Sequence, residues 1–123
     1  MLIAVTAEGK ALESPVSRRF GKSAFVFVAD TQTRVVRIID NAAFAALRLG
    51  SGAKTAEMLA RLGVAWVATG AIGPEAFEIL ENSAIKVVAC ATGSCREILD
   101  RLAAGGLAPT TAPAPCRPVA DDE

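Results

Sequence analysis

The chain has 123 residues, of which 52% are hydrophobic and 21% charged, so it can bury the core of one ordinary domain. Its 13 Lys and Arg residues balance 13 Asp and Glu residues, and it has no tyrosine and one tryptophan. A neutral chain with so few aromatic residues lacks the basic surface and the stacking platform that nucleic-acid binding requires, so we expect no nucleic-acid partner.

The N-terminal half is predicted to contain three strands. Apolar, branched runs predict strands at 2–5, 24–29 and 33–39, with a long loop from 7 to about 22. The short polar link at 30–33 favours an antiparallel hairpin between the second and third strands. Residues 42–49 are compatible with either a helical turn or a packed loop.

The C-terminal half alternates between helices and strands. Helical spacing predicts helices at about 53–62 and 74–82 and a last helix that ends before Gly105, with strands at 64–69 and 85–89 between them. Pro74 suits a first helical turn, and Ser94 with Glu97 suits a capping box. Right-handed crossovers then predict an α/β fold with a five-stranded mixed sheet, in which the second strand is antiparallel and helices cover the faces.

The last segment differs in composition from the rest. Residues 107–123 are rich in Pro, Ala and Thr and end in three acidic residues, so we predict a domain at 1–106 followed by a disordered tail. The apolar start stops at Thr6 and Glu8, too early for a signal core or a membrane span. We therefore expect a cytoplasmic protein without a membrane partner, whose three cysteines are reduced unless they bind a metal or react.

Three glycine-containing turns precede helices: Gly50-Ser51-Gly52, Gly70-Ala71-Ile72-Gly73 and Thr92-Gly93-Ser94. The last two follow strands, so in a parallel sheet they lie along one edge. Helix starts expose unpaired N–H groups and a partial positive charge, and glycine lets a ligand approach the backbone, which together predict an anion site. Turn geometry alone also explains such glycines, and none of the turns is a Walker A loop or a complete dinucleotide fingerprint.

Three cations lie close together in the early loop. Arg18, Arg19 and Lys22 could bind an anionic ligand above this pocket. The alternative is a solvated loop in which Phe20 packs on the domain.

Two cysteines flank the last strand–helix turn. Cys90 and Cys95 are predicted metal ligands, and the helix dipole at Cys95 is expected to lower the pKa of its thiol. The spacing is not a structural zinc pattern, which would need four ligands. Alternatively, Cys90 is a small residue at a strand end and Cys95 a bystander. Cys116, in the tail, could reach a site or link two chains.

Several stretches, in this order, resemble the dinitrogenase iron–molybdenum cofactor biosynthesis family. They are Ile3-Ala4-Val5-Thr6, Arg19-Phe20-Gly21-Lys22, Asp40-Asn41, Gly50-Ser51-Gly52-Ala53 and, most specifically, T-G-x-I-G-P-x-A-F at 69–77. The resemblance covers about residues 1–107. The family includes NifX-like and NafY-like carriers, the C-terminal part of many NifB proteins, and the small stand-alone members to which this chain is most similar.

The resemblance implies a ribonuclease H-like fold with strand order 3-2-1-4-5. It does not imply nuclease activity, because the acidic metal cluster of that enzyme is not evident here. It implies a non-catalytic carrier for the iron–molybdenum cofactor, its precursor or another Fe–S or Mo–S cluster, with cluster-assembly or acceptor proteins as partners. A histidine that ligates the cluster in some members is missing here. The expected cofactor-binding residues are Thr6, Arg18, Arg19, Phe20, Gly21, Gly50, Ser51, Gly52, Thr69, Gly70, Ile72, Gly73, Thr92, Gly93 and Ser94.

The sequence motifs are also compatible with two other classes of function. A regulatory or interaction module would bind a small anion or a protein partner without metal. An enzyme is the weaker alternative, because a chain without histidine cannot build a Ser–His or Cys–His catalytic unit.

Overall fold

The structure is a computed structural model that describes residues 1–116. Its strands are β1 (Leu2–Ala7), β2 (Phe25–Asp30), β3 (Val36–Asp40), β4 (Val64–Ala68) and β5 (Lys86–Val88). Its α-helices are α1 (Ala42–Ala45), α2 (Ser51–Leu62), α3 (Pro74–Asn82) and α4 (Cys95–Ala103), and a short 3-10 helix spans Phe20–Lys22.

The five strands form one mixed sheet in the order β3-β2-β1-β4-β5. β2 is antiparallel to both β1 and β3, whereas β1, β4 and β5 are parallel. The predicted fold class, strand order and antiparallel second strand are thereby confirmed. Because β1, β4 and β5 run the same way, their carboxyl ends share one edge, and the loops that follow them meet there.

Alternation along the strands explains why the sheet is covered on both sides. Ala4 of β1 and Val67 of β4 pack beneath α2 and α3, whereas Ile3 and Val5 face α4. Both β1 faces are buried, as expected for the central strand of a three-layer α/β domain. Within residues 1–116, none of the helices combines the length and apolar composition needed to cross a bilayer.

Most predicted boundaries hold to within two or three residues. The ambiguous segment at 42–49 contains the one-turn helix α1, and α2 begins two residues earlier than predicted, at Ser51. The earlier start follows from Gly50, whose φ of +81° is a left-handed conformation that glycine adopts without strain. β3 begins later than predicted, because residues 31–33 form the hairpin turn.

The described part of the C-terminal segment follows a defined path, in contrast to the predicted disorder. The Thr110 amide donates to the Val87 carbonyl at 2.6 Å, and Ala114 and Ile72 exchange two backbone hydrogen bonds of 2.9 and 3.1 Å. Hydrogen bonds and a disulfide between Cys90 and Cys116, more than apolar burial, hold this segment, so its composition did not reveal it. Residues 117–123 of the predicted tail lie outside the described residues.

Candidate functional site

Four segments of the chain meet at the carboxyl edge of the sheet and line an open cavity of about 620 Å³, which we call the cradle. Its volume lies within the range of about 300–1,000 Å³ that is usual for small-molecule sites. The cradle is lined by residues 19–22 of the early loop, residues 50–53 at the start of α2, residues 71–76 at the start of α3, and residues 113–115.

Glycine residues allow the early loop and the start of α2 to pack closely against each other. A Cβ atom on Gly21 would lie 2.6 Å from the Gly52 nitrogen and 2.8 Å from the Ser51 hydroxyl oxygen. Only glycine therefore lets the early loop pack directly on the start of α2. A Cβ atom on Gly52 would lie 3.3 Å from the Ala76 Cβ atom, so the starts of α2 and α3 are also in close contact.

Backbone hydrogen bonds fix the early loop to the turn before α3. The Ala71 amide donates to the Arg18 carbonyl at 2.7 Å, and the Phe20 amide donates to the Ala71 carbonyl at 2.8 Å. A Cβ atom on Gly70 would overlap the Arg18 carbonyl group, so this approach also requires glycine. Buried Phe20 anchors the loop in the core, as the alternative prediction for the loop proposed.

The starts of α2 and α3 are not capped by side chains. Residues of a first helical turn have no intrahelical acceptor for their N–H groups. The amides of Ser51, Gly52, Ala53, Glu75 and Ala76 therefore have no hydrogen-bond partner among residues 1–116. Pro74 has no N–H to contribute. Two sets of unpaired donors, each at the positive end of a helix dipole, thus converge on one cavity.

The start of α4 has no unpaired amides, which corrects the prediction that the Thr92-Gly93-Ser94 turn contributes to the anion site. The Ser94 and Glu97 amides are bound within the capping box, at 3.1 Å each, and the Cys95 and Arg96 amides donate to the Ser14 and Leu12 carbonyls at 2.9 Å each. All four donors are used, and Thr92, Gly93 and Ser94 do not line the cradle. The capping box, visible in the sequence, uses two of these donors, and the Ser14 and Leu12 carbonyls of the early loop use the other two, so this helix start has none left for an anion.

Two further predicted residues are buried in the sheet and do not line the cradle. Thr6 and Thr69 are fully buried at the ends of β1 and β4, and their hydroxyl oxygens lie 2.7 Å apart. They join adjacent strands where the loops of the site begin, so their position indicates a structural contribution.

The charged residues divide between the cradle and its surroundings. Among residues 1–116, Arg19, Lys22 and Glu75 line the cradle, giving two positive charges and one negative charge. Lys22 Nζ also donates to the Leu47 carbonyl at 2.7 Å. Arg18 is exposed and borders a smaller depression beside Glu8 instead. Of the two predicted arginines, only Arg19 is therefore part of the cradle.

The cysteines do not form the predicted ligand pair. Cys90 forms a disulfide with Cys116, and its sulfur is therefore not a thiolate. Cys95 is fully buried, and burial raises the pKa of its thiol to about 11, opposite to the lowering expected from the helix dipole. Among residues 1–116, no three Cys, Asp or Glu side chains are placed to hold a metal ion together.

Some lining residues were missed by the sequence analysis of the site. Ala53, Glu75 and Ala76 belong to the family motifs, which were a usable signal for them. Residues 113–115 carried no such signal, because they lie beyond the stretch that resembles the family.

The fold and the cradle together define a class of small α/β domain with a glycine-lined cavity at the carboxyl edge of a mixed sheet. The chain belongs to the dinitrogenase iron–molybdenum cofactor family, whose model matches residues 1–105. No curated protein matches the chain.

Solved structures agree with this assignment. The chain is similar to the apo form of the orange protein from Desulfovibrio gigas, with 35% identity, a TM-score of 0.85, and coverage of 91% of this chain and 94% of that one. It is also similar to a candidate NifB protein from Thermotoga, with 30% identity, a TM-score of 0.75, and coverage of 88% and 91%. A candidate dinitrogenase from Methanocaldococcus jannaschii shares the fold, with a TM-score of 0.66, 12% identity, and coverage of 92% and 97%.

Proposed function

We propose that the chain is a non-catalytic carrier that holds an anionic metal–sulfur cluster in the cradle. The cargo would be the iron–molybdenum cofactor, its precursor or a related Fe–S or Mo–S cluster, passed to or from a cluster-assembly or acceptor protein. The observation that carries the proposal is the convergence of two uncapped helix starts on one cavity, in a member of this family.

The chemistry of the lining suits such a cargo. Each helix start contributes main-chain hydrogen-bond donors and about half a positive charge, and the Arg19 side chain adds a full positive charge to the lining of the cradle. Sulfide or oxide atoms at the surface of a cluster are hydrogen-bond acceptors. Such contacts would hold an assembled cluster by its outer atoms, so a protein thiolate is not required.

The lining also supports release of the cargo without chemical change. The ionisable side chains on the cradle are those of Arg19, Lys22 and Glu75, and the chain has no histidine to move protons near neutral pH. These residues form no nucleophile–base pair of the usual kinds. A carrier needs only reversible binding, which main-chain donors and a few charged side chains can supply.

The alternative is a regulatory or interaction module. Helix starts accept phosphate-type anions as readily as cluster sulfides, so the same donors would serve a small anion without metal. A phosphate ion would contact only part of a cavity of about 620 Å³, which favours a larger anion with sulfide at its surface.

The proposal is tested by anaerobic titration with tetrathiomolybdate, followed by visible absorbance and metal analysis after desalting. We expect saturable binding that Arg19→Gln weakens about fivefold, the change that corresponds to roughly 1 kcal/mol. Arg18→Gln is the matched control, because this neighbouring arginine lies outside the cradle. Binding of inorganic phosphate but not tetrathiomolybdate would favour the alternative, and binding of neither would refute both.

A further inference from the structure

The C-terminal segment Leu107–Cys116, here called the strap, crosses the carboxyl edge of the sheet beside the cradle. Thr110 attaches its first half: its amide donates to the Val87 carbonyl, and its hydroxyl oxygen accepts from the Ala89 amide at 2.9 Å. Ala114 attaches its second half through the two hydrogen bonds to Ile72.

The second half of the strap is part of the cradle. Pro113, Ala114 and Pro115 line the cavity, and Ile72, which Ala114 binds, belongs to the glycine turn before α3. The cavity of about 620 Å³ exists with the strap in place, so the strap is a wall of the cradle and does not fill it. A bound cargo would contact this wall.

A disulfide ties the end of the strap to the loop after β5, which is hydrogen-bonded to the same turn. Cys116 directly follows the wall, and its Cα atom lies 5.3 Å from that of Cys90. Cys90 in turn donates its amide to the Gly70 carbonyl at 3.0 Å. Both cysteines adopt left-handed conformations, with φ values of +61° and +56°, which are uncommon for residues other than glycine. Cys90 is exposed, so small thiols can reach it.

We propose that Cys90 and Cys116 form a redox latch that fixes the strap as a wall of the cradle when oxidised and frees it when reduced. Apart from the disulfide, the described strap is attached by hydrogen bonds of two residues, Thr110 and Ala114, and by packing of Leu107 at its start. Its Pro-, Ala- and Thr-rich remainder adds little apolar burial. In a reducing compartment, disulfides are mostly transient and redox-sensing, which suits a latch better than a structural staple.

The latch operates by thiol–disulfide exchange with a small-molecule disulfide of the glutathione class. The Cys90 thiolate attacks one sulfur of that disulfide and releases one small thiol. The Cys116 thiolate then attacks the Cys90 sulfur of the mixed disulfide and releases the second. The two protein thiols lose two electrons and two protons, and the small disulfide gains them as two thiols. A dithiol reductant reverses both steps.

The consequence for cargo rests on the proposed function. A fixed wall adds contacts and closes one way out of the cavity, so reduction is expected to weaken cargo binding about tenfold, within the usual range of coupling between sites. By reciprocity, bound cargo makes the disulfide harder to reduce by the same factor, which for a two-electron couple is about 30 mV.

The test uses amide hydrogen exchange of the whole chain by NMR, with and without a dithiol reductant, and tetrathiomolybdate as the cargo probe. The Ile72 amide reports the latch directly, because its only described acceptor is the Ala114 carbonyl. We expect reduction to speed exchange at Ile72 and Ala114 but not at Val67 in the core of β4. The double variant Cys90→Ser with Cys116→Ser should behave as reduced protein under both conditions.

The outcomes separate the two proposals. Unchanged exchange at Ile72 after reduction would overturn the latch, whatever the cargo does. Faster exchange with no tetrathiomolybdate binding in either state would support the latch and refute the proposed carrier. Faster exchange with equal tetrathiomolybdate binding in both states would overturn the coupling between them.

Discussion

The substitution Ala53→Glu is predicted to stabilise the protein while it weakens cargo binding. Ala53 lies in the first turn of α2, lines the cradle, and belongs to a turn without an acidic residue. A carboxylate there interacts favourably with the helix dipole, so the free energy of unfolding should rise by about 0.3–1 kcal/mol. Most substitutions that impair binding by damaging the fold would lower it.

The expected loss of binding follows from Coulomb's law. A carboxylate at about 6 Å from a unit negative charge, with an effective dielectric constant of about 20, opposes binding by roughly 2.8 kcal/mol. Solvent and salt reduce this value in an open cavity, so we expect the dissociation constant to be about tenfold larger, which corresponds to about 1.4 kcal/mol.

Urea unfolding measures the first effect, and tetrathiomolybdate titration at low and high salt measures the second. Ala53→Gln is the matched control, since it has nearly the same size and helix propensity without the charge. It should bind nearly as well as the parent chain. Equal binding by the Glu and Gln variants at low salt would refute electrostatic attraction at the start of α2.

Three further predictions concern the fold. Ala84 has a φ of +61°, so Ala84→Gly should raise the free energy of unfolding by up to about 1 kcal/mol in urea unfolding, and a decrease would contradict strain there. Thr6→Val should cost about 1–3 kcal/mol because it leaves the buried Thr69 hydroxyl without its partner, and a double-mutant cycle with Thr69→Val should show that the two losses are not additive. Burial raises the pKa of the Cys95 thiol from 9.0 to about 11, so the unfolded chain releases this proton first and stability should fall between those pH values. In the Cys95→Ala variant, this decrease of the free energy of unfolding with pH should disappear. An unchanged pH dependence would argue that Cys95 does not cause it.

The sheet was predictable because its signals are local. Short apolar runs marked all five strands, the polar link at 30–33 marked the hairpin, and crossover handedness set the parallel strands. Gly21, which lines the cradle, and Gly70, which lies beside it, drew attention for the same reason, since both occur in short motifs. Their physical role, close packing of one backbone on another, appears only in the structure.

Most of the incorrect predictions about the site and the C-terminal segment concern contacts between distant segments. The Ser14 and Leu12 carbonyls accept hydrogen bonds from the Cys95 and Arg96 amides, and no sequence pattern near α4 indicates that pairing. Likewise, the strap is held by partners 21 to 42 residues away, whereas composition reports only the apolar surface that a segment can bury. The dipole at Cys95 was a local signal, but desolvation by the surrounding core outweighs it.

The central claim is that main-chain amides at the starts of α2 and α3 bind the cargo, and amide chemical shifts during tetrathiomolybdate titration test it most directly. Binding in the cradle predicts saturable shifts at Gly52, Ala53 and Ala76, with the same dissociation constant, and none at Cys95 and Arg96 of α4. Shifts centred on α4, or saturable binding that leaves the α2 and α3 amides unmoved, would contradict it.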